Sequence, residues 1–348
     1  MNLRIATLNC ENLFSRPNIF LAPNSSDLLR KVSELTEALR QAVFDHAHID
    51  SLLHELKDYA YIVDVRGTYT GATGAVDWLG WVELYRKNNM DAAIQNTARV
   101  IAEIDADVQC LCEVESRPLL CAFHDQLLWP NFLKPAGKKK FPYNLVIDGN
   151  DDRGIDVAVM SRLPIVSLET HIYEKTNYMG KETMLFSRDC LELGLQLPTG
   201  VRLTLLVNHL KSMGYNPPGD PNSDQRRLGQ ALRVSEIAGA YPLDQEYLVI
   251  AGDLNSPPTS PSLAPLVNHP KLYNVNLELP PAERGTYRTG KQQIDYLFVS
   301  PPLRQRLAGV HIERRGVYAK TKWVPFPSVT SAKTAASDHS AVVAEFDI

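Results

Sequence analysis

The apolar run Leu248-Val249-Ile250-Ala251 is followed by Gly252-Asp253-Leu254-Asn255-Ser256-Pro257-Pro258. Gly252 permits a tight backbone exit and the prolines forbid further pairing, so an acid and an amide two residues apart are delivered where a buried strand ends. A carboxylate there can hold a cation or take a proton, and an amide beside it can orient a phosphoryl oxygen without adding charge. A Gly-Asp turn after a strand also has a purely structural reading. The chemical reading gains weight because other strand ends are decorated compatibly. Asn9 and Glu11 follow the run 4–8, Glu113 closes the run 108–114, and Arg153 stands in the turn before the run 155–160. His209 follows the run 201–207, Asp295 opens the run 294–299, and Asp338 and His339 immediately precede the run 341–346.

Carboxylates, amides and imidazoles without a thiolate partner form an oxygen-rich set, which suits Mg²⁺, Mn²⁺ or Ca²⁺ rather than zinc. Histidines beside carboxylates suit proton transfer near neutral pH. A hard cation with proton shuttles and amide donors fits hydrolysis of a phosphate ester. Singly, Glu113 reads as a helix-start or surface acid, Asn9 as a turn residue, Arg153 as a surface arginine and Asp295 as a backbone-bonding residue. His209 alone reads equally as a buried, hydrogen-bonded histidine. Their joint placement at strand termini carries the argument.

These residues need strands to hold them. A helix at Asp91–Ile104 has its apolar stripe at Ile94, Ala98, Ile101 and Ala102. Between the first strand and that helix, Leu28, Val32, Leu35, Leu39 and Val43 recur at helical spacing behind a cap at Ser26 or Asp27, and Trp78 and Trp81 are expected to open a further helix. Residues from about 15 to 89 thus read as a helical insertion, far longer than a normal strand-to-helix connection. It is expected to wall the cleft and restrict substrates, or else only to add stability. The segment 130–140 reads as a loop with solvated lysines. Asn222 or Ser223 is expected to cap a helix carrying Leu228, Leu232 and Ser235. Many strands with few helices imply sheets packed face to face with helices outside.

The chain has 348 residues, 44% hydrophobic and 22% charged, with net charge −4. Such a balance advertises no global basic field for nucleic acid, leaving a local patch or a bound cation to supply positive charge. Among the five cysteines, Cys10, Cys110, Cys112, Cys121 and Cys190, no second close pair accompanies Cys110 and Cys112. Buried free thiols in a reducing, cytoplasmic setting are therefore expected rather than a zinc site. No apolar run reaches about 18 residues and the N-terminus shows no signal-like apolar region, so no stable membrane insertion is expected. Nothing in the sequence implies a protein partner.

Seven segments occur in one order: Thr7-Leu8-Asn9-Cys10-Glu11-Asn12-Leu13-Phe14, Leu111-Cys112-Glu113-Val114, Arg153-Gly154-Ile155-Asp156-Val157-Ala158, Asn208-His209-Leu210-Lys211-Ser212, Gly252-Asp253-Leu254-Asn255, Gln293-Ile294-Asp295-Tyr296 and Ser337-Asp338-His339. With them the chain resembles, over nearly its whole length, the endonuclease/exonuclease/phosphatase superfamily of DNase I-like metal-dependent phosphoesterases. The resemblance implies a four-layered α/β sandwich, two central mixed sheets flanked by helices, with residues 1–348 forming one catalytic domain that includes the insertion. It implies Glu113 as principal metal ligand, with Asn9, Glu11 and Asp338 beside it, although the family often has Asp where Glu11 stands. Asp253 and Asn255 would hold the attacking water and a phosphoryl oxygen, and Asp295 would polarise His339. His209 matches the histidine that faces the phosphate in the DNase I-like and sphingomyelinase-like branches, which abasic-site nucleases typically lack. Arg153 and Lys211 would contact phosphate. The cofactor would be Mg²⁺ or Mn²⁺, with Ca²⁺ also compatible.

The expected activity is metal-dependent hydrolysis of a phosphodiester, with DNA or RNA as substrate. The segment 208–212 and the helix bearing Arg226-Arg227 resemble bacterial nucleases of the superfamily. The alternative is a lipid or small-molecule phosphodiesterase or phosphatase, for which Trp78-Leu79-Gly80-Trp81 would be the apolar loop. A binding module that has lost catalysis is disfavoured by the intact acids and both histidines. His339, oriented by Asp295, is placed on the base side, with Asp253 as the other candidate base. His209, near Lys211, is placed on the acid or phosphate side.

Overall fold

Side-chain alternation sorts the apolar residues of the strand Asn2–Leu13 onto two faces: Leu3 and Ile5 enter one core, Ala6, Leu8 and Cys10 another. The same split recurs in the strand Val108–Val114, with Cys110 and Cys112 on one side and Leu111 on the other, and in Arg202–His209, with Leu205 and Val207 opposite Leu206. Strands apolar on both faces must be covered on both faces, and this dictates the layering. The computed structural model describes residues 2–13, 17–22, 24–41, 43–63, 82–85, 91–151, 154–213 and 218–348. By internal contacts the chain divides into one unit of residues 1–14 with 90–348 and another of residues 15–89.

The larger unit is a four-layered α/β sandwich built on two six-stranded mixed sheets. In the first sheet, Asn2–Leu13 and Val108–Val114 run parallel at the centre, flanked by Ala341–Asp347 and Asp156–Ser161. In the second, Arg202–His209 and Tyr247–Asp253 form the parallel pair, flanked by Cys190–Gln196 and Asp295–Val299. A parallel pair needs a crossover, and the helices Asp91–Ile104 and Asp224–Gly239 supply them. Each helix covers the outer face of its own sheet, Ala98 and Ile101 against Leu8 and Leu111, Ala231 and Val234 against Leu206 and Ile250. Between the sheets lie Ile5, Cys110, Val159, Leu205, Val249 and Leu297.

The smaller unit, residues 15–89, has its own apolar cluster of Ile19, Leu28, Leu35, Leu39, Ile49, Leu52, Leu56 and Ala60. The helix expected to run through Val43 ends at Ala38, and Val43 is 85% exposed. A second helix, His46–Leu56, starts behind Asp45, whose side chain accepts from His48 N. The first helix begins at Ser25 behind Asn24, so Ser26 and Asp27 lie inside its first turn rather than capping it. Trp78 and Trp81 lie outside the described residues, but Val82–Leu84 is a strand paired with Ala60–Ile62 and not part of a helix.

Other expectations are corrected in detail. The first strand continues to Leu13 and carries Asn9 and Glu11 within it. The segment 130–140 is helical as far as Leu133, in a π-helical continuation of the helix Arg117–Phe123 that holds Pro130. In the helix Asp224–Gly239, Leu228 and Leu232 are exposed while Arg227 and Gln230 are buried. Ser223 stands at its N-cap without a side-chain capping bond. The cysteines are free, and only Cys121 is less than fully buried. Among the described residues no helix is long and apolar enough to cross a membrane.

Candidate active site

The inner faces of the two sheets end together at the carboxyl ends of their parallel pairs. His209 and Asp253 are register partners in the second sheet, and Asp253 is opposite Asp295. All three lie on the inward parity of their strands and are buried. Asn9, on the inward parity of the first sheet, is also buried, and its Nδ2 donates to Asp253 Oδ2 at 3.0 Å. One amide thus ties the two sheets together at the site. The strand bearing Asp253 does not stop at Ala251. Gly252 is paired within it, with φ 137°, and a Cβ there would fall 1.8 Å from the Asn208 carbonyl. Glycine is needed for that close approach rather than for an exit turn.

Glu113 would point to the outer face if its strand alternated regularly. Instead its backbone is left-handed, φ 63°, and the ladder to Asp156–Ser161 shifts register between Cys112 and Val114. Glu11, φ 52°, sits at the matching irregularity in the first strand, between Asn9 and Leu13. Such bulges re-aim side chains at strand ends. Asn9 Nδ2 lies 3.4 Å from Glu113 Oε1, and Asn9 Oδ1 accepts from Glu11 N at 2.9 Å. Glu11 Oε2 in turn accepts from Asp338 N at 2.7 Å. Asn255, at φ 52°, donates its own N–H to Asp253 Oδ1 at 2.8 Å and its side-chain amide to Leu210 O at 3.0 Å.

A buried set of proton-handling groups lies beneath this acidic rim. His339 Nδ1 is 2.9 Å from Asp295 Oδ2, and its Nε2 is 3.8 Å from Asp253 Oδ2 and 3.7 Å from Asp338 Oδ1. His209 Nε2 is 3.7 Å from the same Asp253 oxygen. Burial alone would lower the His339 pKa, but the carboxylates of Asp295 and Asp253 outweigh it and raise it to about 10. Burial pushes Asp253 up to about 7, with the His339 charge opposing and the Asp295 charge adding to the rise. At neutral pH we assign the proton to the imidazole, because two carboxylates compete for it and its Nδ1 already faces Asp295. Glu11 is raised to about 7 by burial and by the Asp338 carboxylate, with Glu113 adding to it.

Two groupings could attract a cation. Asp253, Asp295 and His339 offer ligand-type atoms within 4.8 Å of one another. There, however, the His339 ring is already bonded to Asp295 through Nδ1 at 2.9 Å, and its Nε2 is 3.8 Å from Asp253. The half-exposed carboxylates of Glu11, Glu113 and Asp338, with the Asn9 amide, could also hold a divalent ion. They are hard oxygen donors whose mutual repulsion, visible at Glu11, a cation would relieve.

The described structure thus joins nine of the expected site residues, Asn9, Glu11, Glu113, His209, Asp253, Asn255, Asp295, Asp338 and His339, in one connected network. Arg153 lies outside the described residues. Lys211 follows His209 by two positions, its N–H donating to Gln230 Oε1 and its carbonyl accepting from Arg227. The Arg226-Arg227 pair is internal: Arg227 donates to Ser256 Oγ at 2.8 Å and pairs with Asp224, while Arg226 donates to Thr183 Oγ1 at 2.6 Å and lies over the Tyr178 ring.

Several supporting residues were not anticipated. Ser337 Oγ donates to Asn9 O at 2.7 Å and accepts from His339 N at 2.9 Å, fixing the last strand against the first. Thr286 Oγ1 accepts from Asp295 N at 3.2 Å. The Tyr287 ring lies 4.9 Å from that of His339. Arg188, 1% exposed, pairs with Asp151 at 3.0 Å and reaches Leu210 O at 3.4 Å, the carbonyl that also receives the Asn255 amide. A lone arginine just before an apolar strand was the only sequence signal for it.

The Endonuclease/Exonuclease/phosphatase family model matches residues 77–339. No curated protein matches the sequence significantly. Among solved structures, an endonuclease/exonuclease/phosphatase family protein from Bacteroides thetaiotaomicron is similar at TM-score 0.54 and 16% identity, over 100% of this chain and 96% of its own. A family member from Beutenbergia cavernae gives 0.53 and 16%, over 100% and 72%. A mannosyl-6-phosphatase from B. thetaiotaomicron gives 0.50 and 15%, over 99% and 100%. At these identities the likeness concerns the fold.

Proposed function

Because the chain belongs to the endonuclease/exonuclease/phosphatase family, whose members hydrolyse phosphoesters, we propose that it is a divalent-metal-dependent phosphodiester hydrolase acting on nucleic acid. The observation that carries this reading is the position of Asp253 Oδ2 between two buried imidazoles, 3.7 Å from His209 and 3.8 Å from His339. A carboxylate so placed can accept a proton while the flanking imidazoles donate. In-line hydrolysis of a diester needs both, because the attacking water loses a proton and the leaving oxygen gains one.

The roles follow from the protonation of the site. Asp253 takes the proton of the attacking water as its oxygen bonds to phosphorus. Asn255 orients the water or a phosphoryl oxygen. His339, held as an imidazolium by Asp295, donates a hydrogen bond to the phosphoryl group, which moves the base from His339 to Asp253. His209 protonates the departing oxygen as the phosphorus–oxygen bond breaks. Glu113, Glu11, Asp338 and Asn9 would hold magnesium or manganese, which would neutralise charge on the phosphoryl oxygens. Lys211 and Arg153 are proposed phosphate contacts.

Turnover of bis(p-nitrophenyl) phosphate with Mg²⁺, Mn²⁺ or EDTA tests the chemistry. Single-stranded DNA, duplex DNA, RNA, sphingomyelin and an inositol polyphosphate, compared in one buffer, test the substrate. Cation-dependent cleavage of at least one nucleic acid is expected. Turnover confined to sphingomyelin or the inositol polyphosphate would replace the nuclease assignment with the alternative of a lipid or small-molecule phosphoesterase.

A further inference from the structure

A cavity of about 500 Å³ opens beside the site, bordered by Gly290, Lys291, Arg314, Lys322 and Trp323, with Glu283 the only acid among the described residues that line it. Three cations against one acid make it locally basic in a chain of net charge −4. The Arg314 guanidinium donates to the carbonyls of Gly285 at 3.1 Å, Ile312 at 3.3 Å and Glu283. Carbonyl acceptors fix its position without neutralising its charge. Lys291 and Lys322 are exposed. The half-buried Trp323 is anchored by its Nε1, which donates to Val317 O at 3.1 Å, so the indole is oriented before any ligand arrives.

The turn that borders the cavity is also the one that touches the catalytic histidine. Tyr287 forms backbone bridges to Gln292 and to His339, and Gly290 N donates to Tyr287 O at 3.0 Å. Arg288 N donates to Asp338 O at 2.7 Å. Thr289, Gly290 and Lys291, the next residues of the turn, line the cavity. Gly290, at φ 72°, brings the turn against the Trp323 ring, where a Cβ would come within 3.3 Å. One tight turn therefore separates the cavity from the imidazole.

We propose that this cavity is a nucleotide subsite, binding a base against Trp323 and the adjoining phosphate on Lys291 and Lys322. The proposal rests on the nuclease reading and names its substrate class: single-stranded nucleic acid, whose bases are free to leave the stack. A flat aromatic beside cations is the combination that binds single strands, because every base has a face to stack on it. Bases inside a duplex cannot present a face to Trp323.

The test is fluorescence anisotropy with a fluorescein-labelled oligodeoxythymidylate of about eight nucleotides, in EDTA so that binding is read without cleavage. Folding of each variant is checked by circular dichroism. Trp323→Ala should weaken binding about 5- to 100-fold, and Trp323→Phe should retain most of it. The exposed-surface variant Lys291→Glu/Lys322→Glu carries the test if Trp323→Ala does not fold; it should weaken binding and flatten its dependence on salt. Absence of binding by the wild type, or equal affinity in all variants, overturns the subsite. Cleavage of the same oligonucleotide with Mg²⁺ is scored separately. Pocket-dependent binding without cleavage of this oligonucleotide or of any other nucleic acid sinks the nuclease reading and leaves the subsite. Cleavage with affinities that ignore the pocket does the reverse.

Discussion

The His339 imidazole and the Asp295 carboxylate, both buried, meet at 2.9 Å between Nδ1 and Oδ2. This contact fixes the orientation of the ring and leaves Nε2 toward Asp253 and Asp338. Asp295→Asn keeps the shape and removes the charge that raises the imidazole pKa. The rate on bis(p-nitrophenyl) phosphate should fall by on the order of 10²–10⁴. The alkaline limb of the pH–rate profile should move to lower pH, because His339 would lose its proton earlier. An alkaline limb that stays in place would show that Asp295 does not hold the proton on His339.

Glu113 combines a charge role with a strained backbone, so its variants separate the two. Glu113→Gln should retain the fold, abolish metal-dependent turnover and weaken Mn²⁺ binding at least about tenfold by calorimetry. Glu113→Gly should be more stable than Glu113→Ala by about 1 kcal/mol, because alanine keeps the left-handed strain at φ 63° and glycine does not. Equal stability of the two would remove the strain from the account.

The raised Glu11 pKa makes a signed prediction. Between its ordinary 4.5 and about 7, the folded protein binds more protons at Glu11 than the unfolded chain does. Without metal, stability should therefore fall as pH rises through that window. Thermal melts in EDTA at about pH 5 and about pH 8 should show the drop, and Glu11→Gln should flatten it. Saturating Mn²⁺ should raise the melting temperature more at the higher pH, where the carboxylate is free of its proton. A metal effect independent of pH would exclude Glu11 from the ion's site.

Arg188 and Asp151 form a pair whose side chains are 1% and 8% exposed. Arg188→Met takes the cation from a buried carboxylate and should cost about 3–5 kcal/mol in urea unfolding. Adding Asp151→Asn should return part of that loss. Additive losses in the double variant would mean that the two side chains are not coupled.

Residues 15–89 have their own core, so replacing them with a short Gly/Ser linker should leave the larger unit folded. We propose that the insertion selects substrates. Turnover of the small diester should survive the replacement while the ranking among single-stranded DNA, duplex DNA and RNA changes. An unchanged ranking would leave the insertion a purely stabilising role.

The two-sheet sandwich was legible because its strands are apolar on both faces and its helix Asp91–Ile104 is cleanly periodic. The polar residues at strand ends were legible because the apolar pattern stops at them. What local pattern could not carry was any side chain whose position depends on distant partners. Leu228 and Leu232 look like the buried stripe of their helix, yet Arg227 and Gln230 are buried instead. Their guanidinium and amide must reach the backbone at Lys211, a tertiary demand absent from helical periodicity. Glu113 likewise belongs to the wrong face by alternation, and only its bulge turns it toward Asn9. Pro130 reads as a breaker, but a π-helical turn accommodates it. Val82–Leu84 is too short to announce a strand without its partner Ala60–Ile62.

The cysteines between the sheets give the molecule an internal stopwatch. Burial pushes the thiols of Cys110 and Cys112 far above the ordinary range, so an alkylating reagent finds almost no thiolate while the sandwich is closed. Cys112 Sγ also donates to Asn208 O at 3.5 Å, next in the chain to His209. Its modification can proceed only when the sheet bearing Glu113 parts from the sheet bearing His209 and Asp253. The rate at which that sulfur is capped, with the partly exposed Cys121 as the zero of the clock, therefore counts how often the two halves of the candidate site come apart.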